Sequence, residues 1–384
     1  MKEIPMKTNK SVPCVLGFML LFTVAAASAA FAQNQTSTFD AATKSKIIKF
    51  NVPGAGTAAR QGTVPVAINP KGWIAGYYID SSYVVHGFLR SRKGKFTTIE
   101  PSGAVSSVAY SLNTAGDIAG SYADSSGRLH GFLYSDGSYT TFEARGAGTD
   151  SGQGTEALNI DPSGTTIAGY YIDSRGVDVG FVRAADGTIT EFRAKGAGTG
   201  AGQGTWTAST DGINPSGAIA GSYVDASNVT YPFLRTPKGT IIKFKVPGAG
   251  TEGGQGVNAS GINTAGTFTG HYLDSSNVWH SFVRAPKGKI TEFNVKGAGT
   301  GSGQGTLSEN INTAGAITGQ YVDSSYVNHG FVRLSNGHIT KFNVPGAGTG
   351  PDQGTIPNCN NTADAITGNY IDSGNVSHGF LRTP

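Results

Sequence analysis

The sequence predicts an all-β fold, a seven-bladed β-propeller with four antiparallel strands per blade, and three observations carry that prediction. First, the motif Asn-x-x-Gly or a close variant recurs at Asn69, Asn113, Asp161, Asn214, Asn263, Asn312 and Asn361, with spacings of 44, 48, 53, 49, 49 and 49 residues. A repeat of this size with several strands per period is blade-like. Second, each copy divides into short β-type runs separated by turn residues at roughly ten-residue intervals, with no helical periodicity. Third, the two ends of the chain hold complementary fragments of the same repeat. A β-helix also repeats, but its coils need about half this length and would not carry a Gly-closed hairpin at every strand junction.

Taken in chain order, the N-terminus comes first. Lys2, Lys7 and Lys10 precede an apolar run from Val12 to Ala27, and small residues lead to Ala30-Phe31-Ala32. This is the pattern of a secretory signal, residues 1–32, cleaved after Ala32. The run is short for a bilayer span, and no later stretch approaches the ~20 apolar residues that a spanning helix needs. Residues 33–46 read as a flexible segment and residues 47–384 as the propeller.

The first repeat element is a lone outer strand, Ile47 to Val52. The sixth copy shows the full set: Thr306 to Ile311, Ala316 to Val322, Val327 to Arg333 and His338 to Val344. These are called A, B, C and D, with A nearest the central channel. The A–B turn is Asn312-Thr313-Ala314-Gly315. The B–C turn opens on an Asp, as in Asp274-Ser275-Ser276-Asn277, and the C–D turn is Pro286-Lys287-Gly288 or a relative. Each puts an Asx or Pro early and a Gly or Asn where the backbone turns left-handed. The seventh copy stops after strand C, so residues 47–52 are expected to pair with 376–382 and close the ring, leaving no edge open to aggregation.

Composition excludes several functions. Signal cleavage removes Lys2, Lys7, Lys10 and Glu3, which takes the formal charge from +4 to +2, too little for a nucleic-acid-binding surface. The mature chain keeps one cysteine, Cys359, so neither an intramolecular disulfide nor a Cys-based metal site is expected. The Gly-rich stretches, such as Gly297 to Gly305, lack the Lys-Ser/Thr of a P-loop, and no helix follows them. They read as connectors between strand D and the next strand A, and no cofactor is expected.

The run Ile-Asn-x-x-Gly-x-Ile-x-Gly-x-Tyr, followed by His-Gly-Phe-(Leu/Val)-Arg, carries a resemblance. The second part stands here as His86-Gly87-Phe88-Leu89-Arg90, His130-Gly131-Phe132-Leu133-Tyr134, His329-Gly330-Phe331-Val332-Arg333 and His378-Gly379-Phe380-Leu381-Arg382, with looser variants in the other copies. It resembles the extracellular HAF-type repeats of bacteria, in which His-Ala-Phe-Leu-Trp takes the strand C position. This chain has Gly or Ser for the small residue and mostly Arg for Trp. The resemblance implies export and the repeated β fold, and no particular activity.

In a four-stranded meander the D–A connectors and B–C turns emerge together, so one face becomes a ring of near-identical polar sites. Its candidate binding residues are Gln61, Gln153, Gln203, Gln255, Gln304 and Gln353 in the connectors, with Asp80, Asp225, Asp274, Asp323 and Asp372 in the turns. Asp124 and Asp173 hold the same turn position. An Asp opening a tight turn accepts bonds from N–H groups two residues on, and no second acid stands beside it. Capping is therefore favoured over calcium ligation, which takes about six to eight oxygens. The strand C histidines, His86, His130, His280, His329 and His378, are expected to pack or hydrogen-bond between neighbouring blades.

A catalytic site would break the seven-fold pattern. Strand A is the least regular strand, and Glu156, Trp206, Asp211 and Glu309 are its channel-mouth candidates. The three carboxylates would form an acid/base set for a polysaccharide-active enzyme if they converged. Repeated weak sites suit a multivalent ligand instead. The favoured reading is a secreted, periplasmic or cell-surface binding or scaffolding protein, monomeric and not an enzyme. Its partner would be a glycan, a surface polymer or a protein, with no metal, nucleic acid or membrane span. A glycosidase or lyase and a purely structural envelope protein are the alternatives.

Overall fold

The computed structural model describes residues 45–208 and 211–384. The expected signal segment, its cleavage point after Ala32 and residues 33–44 lie outside the described residues.

In the sixth copy the strands are Gly305–Ile311, Ile317–Val322, Asn328–Arg333 and Ile339–Phe342. They pair antiparallel in succession, with Ser308 opposite Gly319, Gly319 opposite Phe331 and Phe331 opposite Lys341. The same succession recurs along the chain to give twenty-eight strands and, among the described residues, no helix. The A–B turn closes on Gly315 at φ 80°, a left-handed value that glycine takes without steric cost. In the seventh copy Asp364 replaces that glycine and still takes φ 56°, which Asp tolerates better than most residues.

The anchor asparagines have a second use beyond the turn. Asn312 Oδ1 accepts the Ala316 N–H at 2.9 Å, and its Nδ2 donates to the Asn361 carbonyl of the next copy at 3.0 Å. The same link runs from Asn69 to Asn113, from Asn214 to Asn263, from Asn263 to Asn312, and from Asn361 back to Asn69. Asn113 Nδ2 donates instead to Asp117 Oδ2 at 2.8 Å, and Asp161 has no side-chain N–H to give, so the series is interrupted on both sides of the third copy.

Strand C supplies the core. Phe88, Phe132, Phe181, Phe233, Phe282, Phe331 and Phe380 are all fully buried, and burial of such a ring contributes ~1.5–3 kcal/mol. The arginine two residues further on lies over the strand D phenylalanine of the preceding copy. Arg333 sits 4.8 Å from the Phe293 ring and Arg382 5.0 Å from that of Phe342. A flat guanidinium on an aromatic face gains a cation–π attraction, so Arg at this position still fills a slot between copies.

The ends meet. Lys46–Phe50 pairs with Ser377–Thr383, with Lys46 opposite Thr383 and Phe50 opposite Gly379. The outer strand thus begins one residue earlier than expected and ends at Phe50 rather than Val52. Gly62 bridges to Ser377 in parallel, and the sheet is nearly closed on itself.

Two copies depart from the common length by more than one residue. The longest spacing reflects extra residues around Asp211, after the short strand Gly204–Thr207. The shortest reflects a truncated connector between Phe96–Ile99 and Ser106–Leu112. There the Val105 N–H bonds to the Ala123 carbonyl at 2.8 Å, as the N–H groups of Gly148, Gly299 and Gly348 bond in their own copies. The chain then enters strand A at once, without counterparts of Thr300 to Gln304.

Candidate functional site

At one end of the strands each full connector meets two B–C turns. Gln304 Oε1 accepts the Gly301 N–H at 2.8 Å, and Nε2 donates to the Ser324 carbonyl at 3.2 Å in the turn of its own copy. Backbone bonds complete the clasp on the other side. The Gly303 N–H donates to the Asn277 carbonyl, and the Trp279 N–H donates to the Gln304 carbonyl, each at 2.7 Å. Gly305 follows at φ 124°, where an added Cβ would lie 2.0 Å from the Trp279 carbonyl oxygen, so only glycine allows the approach. Gln61, Gln153, Gln203, Gln255 and Gln353 make the same two kinds of side-chain contact.

These bonds occupy the amides of the glutamines expected as ligand groups, and Gln153 and Gln353 are half-buried. Gln61, Gln203, Gln255 and Gln304 are buried, and both ends of each amide are engaged. A ligand would have to open the connector to reach them, leaving buried polar groups without partners.

The turn aspartates divide their two oxygens. Asp274 Oδ1 accepts the N–H groups of Ser276 and Val278 at 2.8 and 2.9 Å, and Oδ2 lies 3.2 Å from His280 Nε2. Asp80, Asp323 and Asp372 repeat this with His86, His329 and His378. Asp225 caps its turn in the same way, with Tyr231 in the histidine position stacked on Tyr223. Burial works to raise these carboxyl pKa values. The N–H donors and the imidazole outweigh it and hold Asp80, Asp274, Asp323 and Asp372 below the usual range.

Each histidine stacks on the strand B tyrosine opposite it, as Tyr272 and His280 do at 5.0 Å. Its Nδ1 meets the residue after strand D: Glu100 at 2.6 Å for His86, Glu143 for His130 and Asn294 at 3.2 Å for His280. These partners belong to the same copy, so the expectation of contacts between blades is corrected for the histidines.

The face leaves to solvent its turn serines, the connector tips and two tyrosines. Tyr83 and Tyr326 are 60% and 42% exposed. Both hold φ 63°, where other copies place Gly127, Gly176, Asn228, Asn277 or Asn375. An aromatic residue in the left-handed region costs on the order of 1 kcal/mol or more, and such strain gathers at functional positions. The Tyr326 hydroxyl donates to the Ser302 carbonyl at 3.2 Å, which lays the ring along its connector. Sequence reasoning passed over both tyrosines; their signal was a bulky residue at a turn position that elsewhere takes Gly or Asn.

The channel-mouth candidates separate. Glu156, on strand Gly154–Ile160, is buried, and burial pushes its pKa from 4.5 to about 7 against hydrogen bonds from Tyr170 and Tyr110. Its charged neighbour is Asp178, at the start of strand Asp178–Ala184, raised to about 7 by burial and then by Glu156. Asp178 escaped notice although it is an acid where other copies carry Val85, Leu129 or Trp279. Glu309 lies at the bulge between Ser308 and Asn310 and is raised to about 7 by burial. Trp206 stands on strand A of the fourth copy, opposite Ser222.

Asp211 lies in the extra segment of the fourth copy at φ 43°. Its Oδ2 accepts from Asn310 Nδ2 at 2.7 Å and from Cys359 Sγ at 3.7 Å. Its carbonyl accepts the Ile262 N–H at 3.1 Å, and the Gly212 N–H donates to Asn159 Oδ1 at 2.7 Å. One short segment thus joins the third, fifth, sixth and seventh copies. The structure brings Glu156 to Asp178 and Asp211 to Asn310 and Cys359. It does not join Glu156, Asp211 and Glu309 in one hydrogen-bonded set.

Among the described residues, no group of three or more His, Cys, Asp or Glu side chains is placed to hold a metal ion, and no helix is long and apolar enough to cross a membrane. No family model and no curated protein matches the chain. Solved structures do match. The BP39L lectin from Burkholderia pseudomallei is 12% identical, with a TM-score of 0.52 over 81% of this chain and 96% of that one. The β-propeller domain of the Trilobed protease from Pyrococcus furiosus is 9% identical, with a TM-score of 0.50 over 85% of this chain and 95% of that one. An oligogalacturonate lyase from Vibrio parahaemolyticus is 9% identical, with a TM-score of 0.51 over 90% and 95%. At these identities the likeness concerns the fold alone, and with the strand pairing it makes this chain an all-β protein of propeller-like fold.

Proposed function

We propose that the chain is an exported, seven-bladed β-propeller of four-stranded blades that binds a glycan or repetitive surface polymer at several equivalent places on its connector face. Seven anchor motifs, twenty-eight strands taken four at a time, and an N-terminal strand that completes the last set support the blade count. The observation that carries the function is the connector–turn clasp, repeated at six junctions and made from internal bonds. Such loops are preorganised and lose little freedom on binding, and a ring of equivalent sites gains avidity for a polymer. The exposed serines Ser82, Ser126, Ser276 and Ser325 offer hydroxyls, and Tyr83 and Tyr326 offer amphipathic rings. A lectin among the proteins of similar fold is in keeping with this reading.

The test is a glycan array probed with the purified mature chain, alongside the double variant Tyr83→Ala/Tyr326→Ala. Saturable binding to polymeric glycans, stronger than to their monomers and reduced in the double variant, is expected. Two results overturn the proposal: binding to no glycan, or turnover of a polysaccharide that Glu156→Gln abolishes.

A further inference from the structure

Six connectors fill the space between consecutive copies, and the one between the first and second copies does not. At a filled junction the stretch Thr300 to Gln304 makes three bonds to its surroundings besides the one its Ser302 carbonyl accepts from Tyr326. The Gly303 N–H goes to the turn carbonyl of Asn277, the Gln304 carbonyl takes the Trp279 N–H that opens strand C, and the Gln304 amide goes to the Ser324 carbonyl. The groups in the corresponding places at the short junction are the Tyr83 carbonyl, the Val85 N–H and the Ser125 carbonyl. The chain itself brings no connector residues to meet them, because it passes from Val105 into Ser106–Leu112. Val105, 46% exposed, stands where the short junction enters strand A, while the Tyr83 ring lies toward the preceding connector, its hydroxyl donating to the Ala59 carbonyl at 3.4 Å, so that only the Tyr83 backbone is offered to the gap.

We propose that this gap docks an extended peptide segment of a partner protein, rich in small residues and ending in Gly-Gln, which takes the place of the missing connector. Six such segments already sit in equivalent sites of this molecule, and they specify the chemistry of the seventh. One N–H of the guest meets the Tyr83 carbonyl, the carbonyl of its next residue meets the Val85 N–H, and a side-chain amide meets the Ser125 carbonyl. Val105 supplies apolar contact. The Tyr83 carbonyl in the turn and the Val85 N–H that opens strand Val85–Arg90 give a guest backbone one acceptor and one donor, the kinds of group that strand addition uses. The proposal does not depend on glycan binding, since it concerns backbone groups at one junction.

The probe is a synthetic peptide of residues 298–305, Ala-Gly-Thr-Gly-Ser-Gly-Gln-Gly, titrated as a fluorescent conjugate into the full chain and followed by anisotropy and amide hydrogen exchange. One-to-one saturable binding with slowed exchange at Val85 is expected. The peptide with alanine for its glutamine should bind roughly tenfold more weakly or worse. Inserting Thr-Gly-Ser-Gly-Gln between Val105 and Ser106 fills the gap in cis, at high effective concentration, and should abolish peptide binding. No binding at millimolar peptide, or equal binding by the filled variant, overturns the proposal. Should the filled variant fail to fold, the exchange map of the natural chain decides alone: no slowing at the Val85 amide, or slowing only elsewhere, overturns it.

Discussion

The buried amide of Gln304 holds one backbone N–H and one carbonyl of the exposed residues Gly301 and Ser324, and removing it breaks both bonds. With ~0.5–1.5 kcal/mol for each bond, Gln304→Ala is expected to lose about 1–2 kcal/mol of stability, seen as a lower melting temperature. Its ligand affinity should stay near that of the natural chain, whereas Tyr326→Ala should weaken binding and leave melting nearly unchanged. Equal loss of binding in both variants would restore the glutamines as ligand groups. Glu156 carries a pH dependence. A carboxyl whose pKa rises from 4.5 to about 7 on folding is held protonated more tightly by the folded chain. Its stabilising effect is complete below 4.5 and is lost as pH rises through about 7. Glu156→Gln should therefore gain stability over the natural chain as pH rises across that window, read as a widening gap between their urea midpoints; a constant gap counts against it. Asp caps were legible in the sequence because an Asp and the N–H groups it binds are two and four residues apart. The histidine–aspartate pairs and the glutamine clasps were not, because they depend on which strand or turn each side chain meets after the sheet forms.

Strand Lys46–Phe50 is the element with the clearest task. It covers the edge of Ser377–Thr383, and its Phe50 ring lies 4.7 Å from the Arg90 guanidinium. Deleting residues 46–50 exposes a row of backbone donors and acceptors and empties that stack, which should cost several kcal/mol and promote association. A melting temperature equal to that of the intact chain would show that the closure is dispensable. Strand positions were readable to within two residues in the sixth copy because alternation and turn chemistry are local. The two irregular spacings were readable only as lengths. Nothing in a spacing says that the extra residues of the fourth copy reach toward Asn310 and Cys359, or that the missing ones leave Tyr83 and Val85 facing a gap.

For the whole molecule, near-identical copies raise a difficulty that a varied chain does not meet. Each copy offers almost the same edge, core and anchor asparagine, so a copy can dock against the wrong neighbour during folding, a characteristic failure of repeat proteins. The Asp211 segment distinguishes positions that the repeat leaves alike. Its carboxylate bonds reach residues 99 and 148 positions further along the chain and form only when the fourth, sixth and seventh copies stand in their proper order. Contacts so distant in sequence have a large loop-closure cost and belong late in folding. Asp211→Ala should leave the refolding rate near that of the natural chain and accelerate unfolding, because an interaction absent from the transition state acts on the unfolding limb. A slower refolding limb with unchanged unfolding would refute that order. The bridge is then a proof-reading contact: misordered rings lack the latch and come apart quickly, while the correctly ordered one is held long enough to persist.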